Sequence, residues 1–270
     1  MTSQYWDKHV KDVESHVLKG WLEWEFIEEN YIRPQISGSP TVYYLHHFLQ
    51  QHVPRIPVSR ALSIGCGGGN LERALVDLNA AQDIDAVDIS TESIRLAQQL
   101  AEQQGMKARL HYEVQDVDTM VLPEKIYDFV IAKMSLHHIT RLEHVYRQIR
   151  RTLKPGGLFV FNEFIGPSRF QWTDLQLRLM EQILSVLPKK NTFSSIAQTY
   201  ITLIERPTIP AMLVMDPSEA VRSSEIMVKL PNDFDVVEYK PYGGALLHML
   251  LTHTMPSYDL ESPDQQALLK

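Results

Sequence analysis

Between Arg60 and Glu163, short apolar runs alternate with amphipathic helical stretches. This alternation constrains the fold more than any other feature, because strands separated by helices run parallel and are covered on both faces. The strands read as RALSI, DIDAVDI, ARLHYEV, YDFVIAK and LFVFNEF, and the helices as NLERALVDL, TESIRLAQQLAEQQG and TRLEHVYRQIRRTL. Ser90 is placed as an N-cap and Gly105 as a stop for the second helix. In the third, Thr140 and Glu143 have capping-box spacing, and Leu142, Val145, Ile149 and Leu153 share one face. The expected fold is α/β, a doubly wound and mostly parallel sheet.

The flanks read differently. Residues 1–55 are expected to form an N-terminal helical cap segment, with Trp21, Trp24, Phe26 and Ile27 as an apolar stripe, RPQISGSP as a breaker and TVYYLHHFLQQHV as a further helix ending at Pro54. Residues 56–164 form the core, 165–230 a helical insertion, and 231–270 the final strands and a C-terminal tail. Within the insertion, Thr173 and Gln176 have capping-box spacing, and Asp216, Pro217 and Glu219 suit the N-cap, N1 and N3 positions of another helix. Strands return in FDVVEYK, a PYGG turn and ALLHMLL. The insertion and the N-terminal helices are placed as a lid over the sheet's ligand edge.

A chain of 270 residues with 44% hydrophobic residues can bury a sizeable core, and a net charge of −7 argues against a nucleic-acid partner held by phosphate neutralisation. Cys66 is the one cysteine, which excludes an intrachain disulfide and suits a reducing compartment. The polar start MTSQYWDKHVKDVESH lacks the apolar core of a signal peptide, and no apolar run approaches the ~20 residues of a membrane span. The expectation is a cytoplasmic protein with no membrane partner.

The first strand–helix junction is SIGCGGGN, with Gly65, Gly67, Gly68 and Gly69. Missing Cβ atoms let a ligand approach the main chain, and a helix N-terminus faces it. A dinucleotide site prefers G-x-G-x-x-G, but the third position here is Asn70. Asp88 ends the second strand, where a carboxylate accepts from ribose hydroxyls. VQDVDTM follows the third strand and AKMSLHHI the fourth.

In order and spacing, ALSIGCGGGN, DAVDIS, QDVDTM, YDFVIAKMSLHHI and LKPGG resemble the class I S-adenosylmethionine (SAM)-dependent methyltransferases. The resemblance covers about Arg60 to Glu163. It implies a seven-stranded sheet in the order 3-2-1-4-5-7-6, its last strand antiparallel, with FDVVEYK and ALLHMLL as the closing hairpin. It also implies SAM as cofactor. The loop of Gly65, Cys66, Gly67, Gly69 and Asn70 would hold the methionine part, Asp88 the ribose, and Ile89, Asp116 and Val117 the adenine. Lys133 would face the methionine amino group through its carbonyl. NEFIGPSRFQWTD and DPSEAVRSSEI further resemble bacterial methyltransferases linked to small-molecule or glycan modification.

Ligands of an open α/β sheet bind beyond the carboxyl ends of its strands. That nominates His137 and His138, with His137 as general base, and Glu163 to orient a substrate hydroxyl or amine. A structural role for the two histidines is the competing reading. Arg169, Trp172, Arg222, Glu225 and Tyr242 are candidate substrate contacts, although Arg222 and Glu225 also have the spacing of a surface ion pair. No metal is expected: adjacent His46 and His47 do not share a helix face, and no nearby carboxylate completes a site. The leading reading is methyl transfer to a small-molecule acceptor, most simply at oxygen. An NAD-dependent oxidoreductase and a non-catalytic SAM-fold binding module are the alternatives.

Overall fold

The computed structural model describes residues 2–13, 21–194 and 197–269. The chain divides into two compact units, one of Met1–Val17, Phe48–Arg169 and Thr208–Val237, the other of Leu18–His47, Phe170–Pro207 and Glu238–Lys270. The block expected as one insertion therefore contributes to both.

The first unit holds a parallel sheet of β1 (Val58–Ile64), β2 (Ala81–Asp88), β3 (Leu110–Val114), β4 (Tyr127–Lys133) and β5 (Leu153–Asn162), in the order β3-β2-β1-β4-β5. The pairing aligns the strand ends: Ile64 opposes Val87 and Ala132, Asp88 opposes Val114, and Lys133 opposes Asn162. Residues directly after the strands thus emerge along one edge. The chain reverses direction across the sheet between β1 and β4, the switch point where such folds bind ligands. Leu62, Ile64, Val130, Ile131 and Ala132 are at most 1% exposed, as continuous apolar strands of a covered parallel sheet should be.

Helix Leu142–Thr152 buries Leu142, Val145 and Ile149 on the expected face and adds Tyr146, whose hydroxyl donates to Ile226 O at 3.0 Å. Ile226 and Leu230 join the same core, so 208–237 packs onto the sheet unit. Ser90 caps helix Thr91–Gln103 and Thr173 caps helix Asp174–Val186, the latter in a complete capping box with Gln176.

Other expectations are corrected. Among the described residues the sheet has five strands, not seven. FDVVEYK forms no strand, and Val236, Val237 and Tyr239 are 47%, 73% and 53% exposed, so pairing there would bury little. ALLHMLL enters helix Leu247–Thr254 of the second unit; an unbroken apolar run has no period to separate helix from strand. Thr140 does not cap helix Leu142–Thr152, because its hydroxyl donates to Asp118 and Glu143 pairs with Arg222. Asp216 opens a turn in place of a helix: its Oδ1 accepts from Ser218 N and Oγ, both at 2.7 Å.

In the second unit, Met180, Leu184, Ile204 and Leu250 form the core, and Phe193–Ser194 pairs antiparallel with Thr199–Tyr200. Among the described residues no helix is long and apolar enough to cross a membrane.

Ile149→Ala should cost about 2–5 kcal/mol, and Tyr146→Phe about 1–3 kcal/mol by leaving the Ile226 carbonyl unpaired. Val236→Ala should stay within about 0.5 kcal/mol. Urea unfolding checks all three, and a Val236 loss as large as that of Ile149 would mean the stretch is packed as a strand.

Candidate active site

The glycine loop is anchored to the end of β2. Gly65 N and Cys66 N donate to Val87 O at 2.8 and 3.1 Å, and Gly67 N donates to Asp88 Oδ2 at 2.9 Å. Asp88 Oδ1 accepts from Ser90 N at 2.9 Å. Asp88 is therefore the loop's clamp, and burial raises its pKa against the backbone N–H groups, which favour the charged form. Gly65 and Gly69 adopt φ of +69° and +77°, and a Cβ on either would collide, with Ser135 and Tyr112 respectively. Two independent constraints, backbone sign and space, thus require glycine there.

Gly65, Cys66, Gly68, Asn70, Leu71, Glu72 and Lys133 line a pocket of about 110 Å³. Complete small-molecule sites run to ~300–1,000 Å³, so this pocket accepts one end of a ligand. Burial, with Glu72 and Asp88 nearby, pushes the Cys66 thiol up and keeps it protonated, which removes it as a nucleophile. Asn70 accepts from Arg73, whose other arm reaches Gly68 O at 2.8 Å.

Further along the edge, Asp116 is exposed and its Oδ1 caps a turn by accepting from Asp118 N at 2.9 Å, while Val117 packs against the core and Ile89 is half-buried. Lys133 ends β4 with its side chain exposed.

Beyond β4 and β5 lies a buried histidine–carboxylate cluster. Glu163 follows β5, and its side chain is fully buried. It accepts from Ser135 N, Leu136 N and Phe164 N at 2.9, 2.6 and 2.6 Å, and pairs with His137 Nδ1. Ser135 Oγ donates to Ile64 O at 2.8 Å, tying this loop to β1 beside Gly65. His137 Nε2 is 3.6 Å from Glu219, and His138 Nδ1 lies 3.2 Å from Ser218 Oγ and 3.8 Å from Asp216. Burial alone lowers the His137 pKa, but Glu163, then Glu219 and Asp216, outweigh it and raise the pKa above the usual histidine value. Burial raises Glu219 as well. Trp6 of helix Thr2–Val13 stands edge-on to His138 at 4.7 Å, and Asp7 of that helix accepts from Ser90 Oγ at 2.7 Å.

The remaining candidates are placed elsewhere. Arg222 binds Glu143 and Glu225 at 2.7 Å each and donates to Thr140 O at 2.9 Å, which gives it and Glu225 a packing role on helix Leu142–Thr152. Arg169 donates to the carbonyls of Asp216, Pro217 and Glu219. Trp172 and Tyr242 belong to the second unit. Trp6, Ser135, Ser218, Glu219 and Glu72 were not identified as site residues from the sequence. The YW pair in a periodic first helix was the available signal for Trp6; the others lie in positions that read as caps or solvated helix faces.

Residues 62–161 match a family model described as a methyltransferase domain. Over residues 62–161 the first unit carries a methyltransferase domain. Sterol 24-C-methyltransferase ERG6B of Gibberella zeae is 31% identical over 132 residues, 49% of this chain and 34% of that protein. The mitochondrial ubiquinone biosynthesis O-methyltransferase of Mus musculus is 27% identical over 189 residues, 68% of this chain and 46% of that protein. The chain spans between a third and a half of these relatives. The solved structure of the cyclase SpnF shares the fold with a TM-score of 0.51 at 17% identity, over 84% of this chain and 66% of that one. The methyltransferase domain uses SAM as its cofactor, and the residues present fit it: a loop that admits no Cβ at Gly65 or Gly69, a pocket for one ligand end, and Asp88 holding the loop.

Asp88→Ala should weaken binding of S-adenosylhomocysteine at least tenfold, or about 1.4 kcal/mol, through loss of the loop clamp. Titration calorimetry giving an unchanged affinity would remove Asp88 from the cofactor site.

Proposed function

We propose that this chain moves the methyl group of SAM to a hydroxyl oxygen of a small-molecule acceptor. The observation that carries this reading is the buried His137–Glu163 pair, held at the strand ends through Ser135 beside the glycine loop. The cofactor supplies an activated methyl on a sulfonium. The chain's residues have to orient the acceptor, exclude water and take one proton. Glu163 fixes His137 through Nδ1, which leaves Nε2 to accept the hydroxyl proton, and Glu219 stabilises the imidazolium that results. Orientation alone contributes about 7–11 kcal/mol to such a step, and a general base adds roughly 10²–10⁴-fold. His138 borders the acceptor side, with Trp6 and the Asp216–Ser218 turn against it as the cover that keeps water out. The loop of Gly65, Cys66, Gly67, Gly69 and Asn70 is proposed to carry the methionine end, with Asp88 on the ribose, Ile89, Asp116 and Val117 around the adenine, and the Lys133 carbonyl toward the amino group. The O-methyltransferase name of the mouse relative supports oxygen as the acceptor atom. A single cysteine kept protonated by burial suits a reducing setting, so the cytoplasm is the proposed location.

SAM, but not NAD, should raise the melting temperature. Metabolite extract incubated with the protein and methyl-tritiated SAM should yield a labelled small molecule, and the absence of any label with a bound cofactor would leave a binding module.

The base must be neutral to act, and the pKa of His137 is raised. Activity should therefore rise with pH through a value above the ordinary ~6.5 of histidine. Glu163→Gln removes the charge that raises it, so the acid limb of kcat/KM should move to lower pH while kcat falls. A limb that stays in place would exclude His137 as the base.

A further inference from the structure

Glu72 is 0% exposed in the first turn of helix Asn70–Asp77, and it is one of the residues around the loop pocket. Neither of its carboxylate oxygens has a hydrogen-bond partner, and neither does the buried hydroxyl of neighbouring Ser63. Ser63 lies close enough to ease the charge without closing a bond. An uncompensated buried carboxylate is among the most costly features a fold can keep. Arg73 does not relieve it, since its guanidinium is spent on Gly68 O and Asn70. Lys133, which also lines the pocket, is exposed.

We propose that Glu72 is the counter-charge for the methionine ammonium of the cofactor, with Ser63 as a third acceptor. An ammonium offers three N–H donors, and three buried oxygens here lack one. The sulfonium carries charge but no N–H, so it leaves these oxygens unpaired. The inference rests on the methyltransferase reading, and adds that affinity for the amino-acid end depends on a side chain of the helix as well as on the loop backbone.

Burial pushes the Glu72 pKa up to about 7, with Ser63, the backbone and Arg73 lowering it and Asp88 raising it. Cys66 and Tyr112 also face Glu72, and burial keeps both protonated. In the free protein the carboxylate is protonated below that pH and charged above it. Ammonium-bearing ligands should therefore bind more tightly as pH rises through about 7.

The test compares S-adenosylhomocysteine, which carries the ammonium, with 5′-methylthioadenosine, which lacks the amino-acid end, by calorimetry between about pH 6 and pH 8. For the unaltered chain, S-adenosylhomocysteine affinity should rise severalfold across this range, and methylthioadenosine affinity should not. Glu72→Gln should weaken S-adenosylhomocysteine at least tenfold at the upper pH, abolish its pH dependence and leave methylthioadenosine within twofold. Glu72→Asp, which keeps the charge but retracts it, should show a smaller selective loss and retain the pH dependence; it carries the test if Glu72→Gln does not fold. Equal weakening of both ligands, or of neither, would overturn the role of Glu72. If the unaltered chain binds neither ligand, the cofactor reading itself fails.

Discussion

The geometry of the cofactor edge depends on one carboxylate. A tight glycine turn leaves several N–H groups pointing inward, and each needs an acceptor. Val87 O takes two of them and Asp88 takes a third, while its second oxygen holds Ser90 N. The same side chain therefore fixes the loop that enters helix Asn70–Asp77 and the turn that enters helix Thr91–Gln103. Both helices start where they do because β2 ends in an acid. The cost is a buried charge, visible in the raised pKa of Asp88, and the backbone donors offset part of it.

What was legible in the sequence follows from period and from local chemistry. The five strands of the sheet and the three α-helices that connect them are separated by clear changes of period, and Ser90 and Thr173 cap helices as their spacing implies. What was not legible depends on partners distant in sequence. Thr140 has capping-box spacing, but Asp118 captures its hydroxyl and Arg222 captures Glu143. ALLHMLL has no period at all, so whether it pairs or coils is decided by its surroundings. FDVVEYK packs Phe234 on the core but leaves Val236, Val237 and Tyr239 exposed. Glu72 reads as an ordinary acid in a first helical turn, where it favours the helix dipole. Only the packing of that helix on the sheet turns it inward.

The site residues divide in the same way. Gly65, Gly69 and Asp88 announce themselves because strand ends and turns demand particular residue types. Glu219 does not, since its place beside His137 depends on a turn at Asp216 that the sequence presents as a helix start. The arginines were misleading for the opposite reason: Arg222 and Arg169 are conspicuous cations near the site in sequence, yet carboxylates and carbonyls from nearby elements occupy their donors.

The two fully buried glutamates of the sheet unit show how differently a fold can treat the same group. Glu163 receives three backbone N–H groups and a histidine, all supplied by the protein itself. Its charge is compensated before any ligand arrives, so it can hold His137 in one orientation without reorganising during reaction, which is the condition for electrostatic preorganisation. Neither oxygen of Glu72 has a hydrogen-bond partner, and Ser63, the backbone and Arg73 ease its charge only in part. Its charge is fully compensated only by something that enters the pocket, and until then it destabilises the folded chain as pH rises from the ordinary glutamate range through about 7. A group arranged like Glu163 favours rate, because it serves the bound state and the free state alike. A group arranged like Glu72 favours binding, because relief of its desolvation is available to the ligand alone. The two carboxylates thus separate holding a base from holding a cofactor.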